Sequence, residues 1–316
     1  MTGHSHLRAV GVRIDYDAVP ARVRDWVEQE LGAPVVQAVT QRGGMSPGCA
    51  VRVRLADGRR AFVKAVGLEL NADTAGLHRH EAMVLAALPD VSWRPRLLAT
   101  YDDGDWVALV LEDVEGVHPD WRDDGQVGAV LAQVEAQAVE LSPSPVEQSA
   151  VPTLLKNLAQ WAEVLDGDHS APRDVLPAWF RDNRDLVASH LEALSVSLHG
   201  TTLCQWDIRS DNILIRPDGS VVLIDWGISR LGPVWADTVV FALEWAETPR
   251  FDQIVSASPL LAAADDDPAS GLLLGKGGFL TVAGTWDAPP GLPTLPAFRS
   301  REGRRLLEGA RRRLGL

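Results

Sequence analysis

The chain is short of lysine, of cysteine and of long apolar runs. Only Lys64, Lys156 and Lys276 are lysines, against 27 arginines in 316 residues. A lysine is therefore worth questioning wherever it survives, because it offers a point charge on a slim stem where arginine offers a planar fork. The two cysteines, Cys49 and Cys204, give neither a disulfide framework nor a zinc site and read as small buried hydrophobes. No run approaches the ~18 apolar residues of a membrane span. The segment Met1 to Tyr16, with His4, His6, Arg8 and Arg13, has no signal-peptide core, so the expected address is the cytoplasm. The net charge of −13 argues against a protein that coats nucleic acid. That charge is uneven: residues 299–316 carry seven arginines against Glu302 and Glu308.

What is present is an ordinary globular composition, 46% hydrophobic and 23% charged, enough for two domains or one large bilobal one. The first third reads as β-rich. Val51 to Leu55 alternates apolar and basic residues, Asp57-Gly58 is a hairpin turn, and Arg60 to Val66 returns as the second strand. Leu77, Glu81, Val84, Leu85 and Leu88 fall at helical spacing. A second hairpin joins Arg96–Tyr101 to Trp106–Leu111. From about residue 119 the texture is helical, over 126–141, 153–165, 175–198, 234–246 and 298–314. A β island at Leu214–Ile215 and Val221–Ile224 interrupts it, and the segment Pro289 to Pro296 is a proline-rich connector. The reading divides the chain into a β-rich lobe at 1–112, a hinge at 113–118 and a helical lobe at 119–316, with a ligand cleft expected between the lobes.

Thr40 to Ala50 contains Gly43, Gly44, Ser46 and Gly48, a loop whose bare backbone N–H groups can approach an anion. Alone it reads equally as a plain hairpin turn; with the hairpin that follows it reads as a lid. Lys64 lies in an apolar strand on one face with Phe62 and Val66, where an ammonium is costly unless paired. Glu81, seventeen residues on, shares a helix face with Leu77 and Val84 and is a candidate partner; a rim charge is the plainer alternative. Asp207 and Asn212 are five apart, and Asp225 closes the next apolar strand before Trp226-Gly227. Hard oxygen donors at two neighbouring strand ends suit Mg²⁺. Asp207, in its loop, suits a base that accepts a hydroxyl proton.

These residues carry a resemblance. The pattern Gln205-Trp206-Asp207-Ile208, then Asn212, then Asp225-Trp226-Gly227 resembles the H-R-D-L-x-x-x-N and D-F-G motifs of protein kinases. Within that fold it is most similar to the aminoglycoside phosphotransferase-like small-molecule kinases, over roughly residues 35–245. The resemblance implies an α+β, bilobal protein-kinase-like fold that uses ATP and Mg²⁺. It implies Asp207 as catalytic base and Asn212 and Asp225 as metal ligands. Lys64 would contact the phosphates and Glu81 would orient it. Glu112 and Val114, at the hinge, would read adenine through their backbones. Gly43, Gly44, Ser46 and Gly48 would cover the phosphates, and Arg209 would neutralise the transferring group or simply pair with Asp211.

Gln205 and Trp206 depart from the family's His-Gly. Asp237 is read as a structural acceptor for the catalytic-loop backbone, Trp235 as core, and His169, His190 and His199 as carrying no metal spacing. The expected activity is transfer of a γ-phosphate to a hydroxyl of an antibiotic or another natural product, with no nucleic-acid or membrane partner. A metabolic kinase for a sugar, amino alcohol or nucleoside-like acceptor, or a non-catalytic nucleotide-binding module, are the alternatives. The acceptor wall is expected from 119–200 and 250–290. The acidic clusters Asp120/Asp123/Asp124, Asp166/Asp168 and Asp265–Asp267 read either as attractors of a polycation or as solvated loops. The Arg311–Arg313 tail weakens an aminoglycoside reading. Lys156 and Lys276 read as surface residues.

Overall fold

A computed structural model describes residues 10–149, 151–262, 264 and 267–316. His4, His6 and Arg8, and Asp265 and Asp266 of one acidic cluster, lie outside the described residues. The strands are β1 (Val35–Thr40), β2 (Cys49–Leu55), β3 (Arg60–Gly67), β4 (Leu97–Asp102), β5 (Trp106–Glu112), β6 (Thr202–Cys204), β7 (Ile213–Ile215), β8 (Val221–Leu223) and β9 (Arg230–Gly232). The helices are α1 (Ala21–Leu31), α2 (Ala72–Ala87), α3 (Asp124–Glu140), α4 (Val151–Asp166), α5 (Ala178–Asp182), α6 (Arg184–Ser197), α7 (Ala236–Ala242), α8 (Pro249–Ala257), α9 (Pro268–Ala283) and α10 (Leu295–Leu314). Among the described residues no helix is long and apolar enough to cross a membrane.

The chain forms two compact units, each discontinuous in sequence. The first takes residues up to Ala129, Ser210–Ile228 and Ala288–Thr294; the second takes Val130–Arg209, Ser229–Asp287 and Leu295–Leu316. A single cut at 113–118 does not describe this division, because the β7–β8 hairpin and the proline-rich connector return to the β-rich unit. Val117 and Ile215 exchange backbone hydrogen bonds at 3.0 and 2.8 Å, and Leu223 N–H donates to Trp93 O at 2.8 Å.

The first unit is built on one antiparallel sheet of order β1-β2-β3-β5-β4. Gly58, with φ +88°, closes the β2–β3 hairpin at the Asp57-Gly58 turn. Val23, Val27 and Leu31 recur every four residues along α1 and are buried with Val51, Val53, Leu55 and Val63 of the sheet. The left-handed Gly32 (φ +70°) ends that helix. α2 packs against β3 and β5, which brings Glu81 beneath Lys64.

The second unit is helical around α9, with one small antiparallel pair, β6–β9. Nearly every side chain of α9 is buried. Its glycines make that possible: a Cβ on Gly275 would meet Leu191 at 2.8 Å, one on Gly277 would meet Leu307 at 2.8 Å, and one on Gly271 would meet Leu194 at 2.9 Å. Helices α4, α6 and α10 pack on it at these points. The expected helix over 175–198 is found as a 3₁₀ turn at Arg173–Val175 and two helices: Pro177 separates the turn from α5, and the non-helical Asn183 (φ −109°, ψ 34°) separates α5 from α6.

Candidate active site

A cavity of about 220 Å³ opens in the first unit. The glycine-rich loop, β3, the β5 end and the 211–225 segment all line it, contributing Gly43, Gly44, Ser46, Lys64, Glu112, Val114, Asn212 and Asp225. Lys64 reaches it from the face of β3 that also carries Phe62. Its ammonium donates to both Glu81 oxygens, at 2.9 and 2.7 Å, and to Asp225 Oδ1 at 3.3 Å. Glu81 is fully buried and also accepts from Trp226 N–H at 3.3 Å. One carboxylate thus fixes both the lysine and the start of the segment that presents Asp225. Burial works against the charge on Lys64, but Asp225 and Glu81 outweigh it and hold the ammonium above its ordinary lysine value. Burial pushes Glu81 upward, and Lys64 partly offsets this. His78, also on the cavity wall, is pushed down to about 3 by burial and then by Lys64, so its imidazole is neutral at physiological pH.

Asp225 has φ +66°, a left-handed backbone that non-glycine residues adopt rarely. The strain places its carboxylate on the cavity, 39% exposed. Asn212 is buried and lines the same wall. Trp226, in the aromatic position after Asp225, is fully buried, donates to Leu223 O at 3.0 Å and lies 5.8 Å from the Trp93 ring. Among the described residues no cluster of three or more His, Cys, Asp or Glu forms a closed metal site. An Asn–Asp pair suits a cation that keeps waters and takes further ligands from a phosphate.

The other candidates divide by what they touch. Glu112 pairs through its side chain with Arg96 at 3.3 Å and Arg216 at 3.5 Å. Val114 O accepts from Arg52 at 3.1 Å, while its N–H has no acceptor among the described residues. Between them Asp113 is buried against Arg60 at 2.8 Å and Arg52 at 3.2 Å, which fixes the backbone on either side. Gly48 is not on the cavity wall. Its φ is +108°, and a Cβ there would meet Ala65 O at 2.6 Å, so it is a packing glycine. The loop is also not a free lid. Gly11 N–H donates to Gly44 O at 3.2 Å and Gly48 N–H to Val12 O at 2.9 Å, so an upstream segment laces it down.

Asp207 and Arg209 belong to the second unit. Arg209 Nε lies 3.3 Å from Asp207 Oδ1. The loop that carries them is fixed by Asp237, which accepts from Gln205 N–H at 2.7 Å and Trp206 N–H at 2.8 Å. Asp237 is buried and pushed up to about 6 by that burial. Trp206 has φ +63°, a conformation that glycine adopts without cost. The indole fits because Gly232 faces it: a Cβ there would meet Trp206 Cζ2 at 2.6 Å. Trp206→Gly therefore relieves ~1–2 kcal/mol of backbone strain but gives up a buried indole worth ~3–5 kcal/mol. The packing term wins, and urea unfolding is expected to show the variant ~2 kcal/mol less stable.

Lys276 is a correction. It is not a surface residue like the exposed Lys156; it is half-buried and is the one charged residue of α9. Burial lowers its ammonium, and Asp207, Glu302, Arg209 and Arg305 are the charges close enough to act on it. In the sequence it has no glycine loop or partner carboxylate nearby, so it reads there as a surface charge. The acidic clusters also read differently in place. Asp166 pairs with Arg184 and Asp120 with Arg122, each at 2.7 Å, and Asp267 caps α9 and pairs with Arg313 at 3.0 Å. The basic tail is neutralised at home, with Arg312 and Arg313 both on Asp252.

A five-stranded antiparallel sheet covered by α1 and α2, together with a second, helical unit, defines a kinase-like α+β fold. Solved structures agree. The choline kinase LicA from Streptococcus pneumoniae matches with a TM-score of 0.60 at 15% identity, over 92% of this chain and 99% of that one. A choline/ethanolamine kinase family protein from Mesorhizobium loti matches at 0.55 and 14%, over 91% and 99%. An aminoglycoside phosphotransferase in ternary complex with ADP and hygromycin B matches at 0.54 and 14%, over 92% and 98%. No curated protein sequence matches. The family model of the phosphotransferase enzyme family matches residues 43–272, and the chain belongs to that family. It is an ATP-dependent small-molecule phosphotransferase.

Proposed function

We propose that the chain transfers the γ-phosphate of ATP to a hydroxyl of a small natural product, an antibiotic being the leading case. The observation that carries the reading is the Lys64–Glu81–Asp225 cluster on the wall of the first unit's cavity. It supplies one fixed cation for phosphate oxygens and one exposed carboxylate for a metal. Phosphoryl transfer asks little covalent chemistry of a protein; positioning and charge neutralisation dominate. Lys64 holds phosphate oxygens, Glu81 keeps Lys64 in place, and Val114 N–H offers an unused donor to the edge of a base. Asn212 and Asp225 would hold Mg²⁺, which when bound neutralises charge on the phosphates. Asp207 orients the acceptor hydroxyl and takes its proton, and Arg209 keeps Asp207 in position.

Asp120, Asp166 and Asp267 each pair with an arginine, and Lys276 lies within electrostatic reach of Asp207; both favour acceptors that are not polycations. Choline and aminoglycosides belong to the relatives' names; this chain's acceptor is sought among neutral or weakly charged polyols and macrocycles. The test is transfer of labelled γ-phosphate to a panel of hydroxyl compounds, with Asp225→Ala as blank. Label appearing on one acceptor with wild type alone supports the reading. Label spread equally with both proteins overturns it.

A further inference from the structure

Arg13 lies outside the stretch that the family model matches, yet its guanidinium forms part of the cavity wall with Lys64, Gly43 and Ser46. It donates to Ser46 O, and to Gly43 O at 2.5 Å. The fit leaves no slack: a Cβ on Gly44 would lie 2.7 Å from Arg13 Nη2. Its Nε is buried with no acceptor, and no carboxylate among the described residues comes within ion-pairing distance. The anion that acts on it electrostatically is Asp225, at longer range. A half-buried cation whose partners are two neutral carbonyls is an incomplete arrangement, because buried charge needs an opposite charge.

The surrounding backbone holds Arg13 there. Gly48 N–H donates to Val12 O and Ile14 N–H to Gly48 O, at 2.9 and 3.3 Å, on one side. On the other, Val12 N–H donates to Gly291 O at 2.8 Å and Val10 N–H to Thr294 Oγ1 at 3.0 Å. The connector that carries Gly291 is itself tied down by Asn71 Nδ2, which donates to Pro290 O at 2.7 Å. The glycine-rich loop is thus bound to a three-part edge, and the edge presents one guanidinium to the cavity.

We propose that Arg13 is a second phosphate-binding cation of the nucleotide site, resting on the Gly43 and Ser46 carbonyls until a polyphosphate replaces them as its acceptor. The inference rests on the nucleotide reading of this cavity. A phosphate oxygen is the better acceptor, since charge-assisted hydrogen bonds are about twice as strong as neutral ones. Arg13 adds to Lys64 a planar fork suited to two phosphate oxygens.

The test is calorimetric titration of wild type, Arg13→Ala and Arg13→Lys with ADP and with adenosine, after thermal melts that show each variant folded. Arg13→Ala is expected to weaken ADP roughly tenfold or more and adenosine less than twofold, with Arg13→Lys between wild type and Arg13→Ala for ADP. Equal loss of ADP and adenosine would show a clamp that only shapes the loop and would overturn the proposal. So would unchanged ADP binding. Failure of wild type to bind ADP at all would instead count against the nucleotide reading itself. If Arg13→Ala does not fold, Arg13→Lys and Arg13→Gln give the same comparison.

Discussion

Asp207→Asn is expected to lower kcat by ~10²–10⁴ while leaving ADP affinity and thermal stability near wild type. That range is what a positioned proton acceptor contributes to a transfer. The selectivity follows from where the residue sits. Asp207 is not among the residues that line the first unit's cavity, so if that cavity takes the nucleotide, ADP affinity is expected to be insensitive to it. Asn keeps the size of Asp207 and can place its amide oxygen where Oδ1 lies, 3.3 Å from Arg209 Nε. The loop does not depend on Asp207 for its shape, because Asp237 holds the two preceding N–H groups. Steady-state kinetics beside an ADP titration checks this. A fall in ADP affinity that matches the fall in kcat would remove Asp207 from the base position.

The second large effect is at Lys64. Lys64→Met is expected to cost ~3–5 kcal/mol of stability, the usual consequence of leaving one charge of a buried pair alone, together with ~10²–10³ in kcat from a lost preorganised cation. Glu81 is completely buried, so it would either remain charged against Asp225 or take up a proton. Lys64→Met/Glu81→Met separates the two losses. Removing both charges is expected to restore much of the stability, since an apolar pair of similar volume is often neutral or better, and to leave activity lost. Denaturant unfolding and turnover, measured on the same preparations, decide it. If the double variant recovers turnover, Lys64 is a structural charge only.

Much of this is legible in the sequence for definite reasons. The β2–β3 and β4–β5 hairpins show as apolar or alternating runs meeting at a turn, and the Asp57-Gly58 dipeptide fixes the first of them. Lys64 stands out because the chain uses lysine so rarely, and Glu81 because its helix face is otherwise apolar. The Asp207, Asn212 and Asp225 spacing carries the family likeness, and residues 43–272 do match that family.

The rest is hidden by long-range packing. Helix α9 is apolar on every side and holds four glycines at Gly271, Gly275, Gly277 and Gly278; only its neighbours Leu158, Leu191, Leu194 and Leu307 explain why glycine is needed there. Without α9, Lys276 has no company in the sequence and reads as a surface charge. Arg13 sits thirty residues before the loop it serves, on backbone pairing that leaves no local pattern. Trp206 departs from the motif in sequence, but its accommodation depends on Gly232, twenty-six residues on.

The central claim is that the first unit's cavity binds a nucleotide polyphosphate with a divalent cation held at Asp225. The direct measurement is ADP affinity with and without Mg²⁺, for wild type and for Asp225→Ala. The account predicts that Mg²⁺ tightens ADP binding to wild type and that this gain disappears in Asp225→Ala, while Mg²⁺-free binding survives. ADP binding to wild type that ignores Mg²⁺, or a Mg²⁺ gain that persists without Asp225, would contradict it.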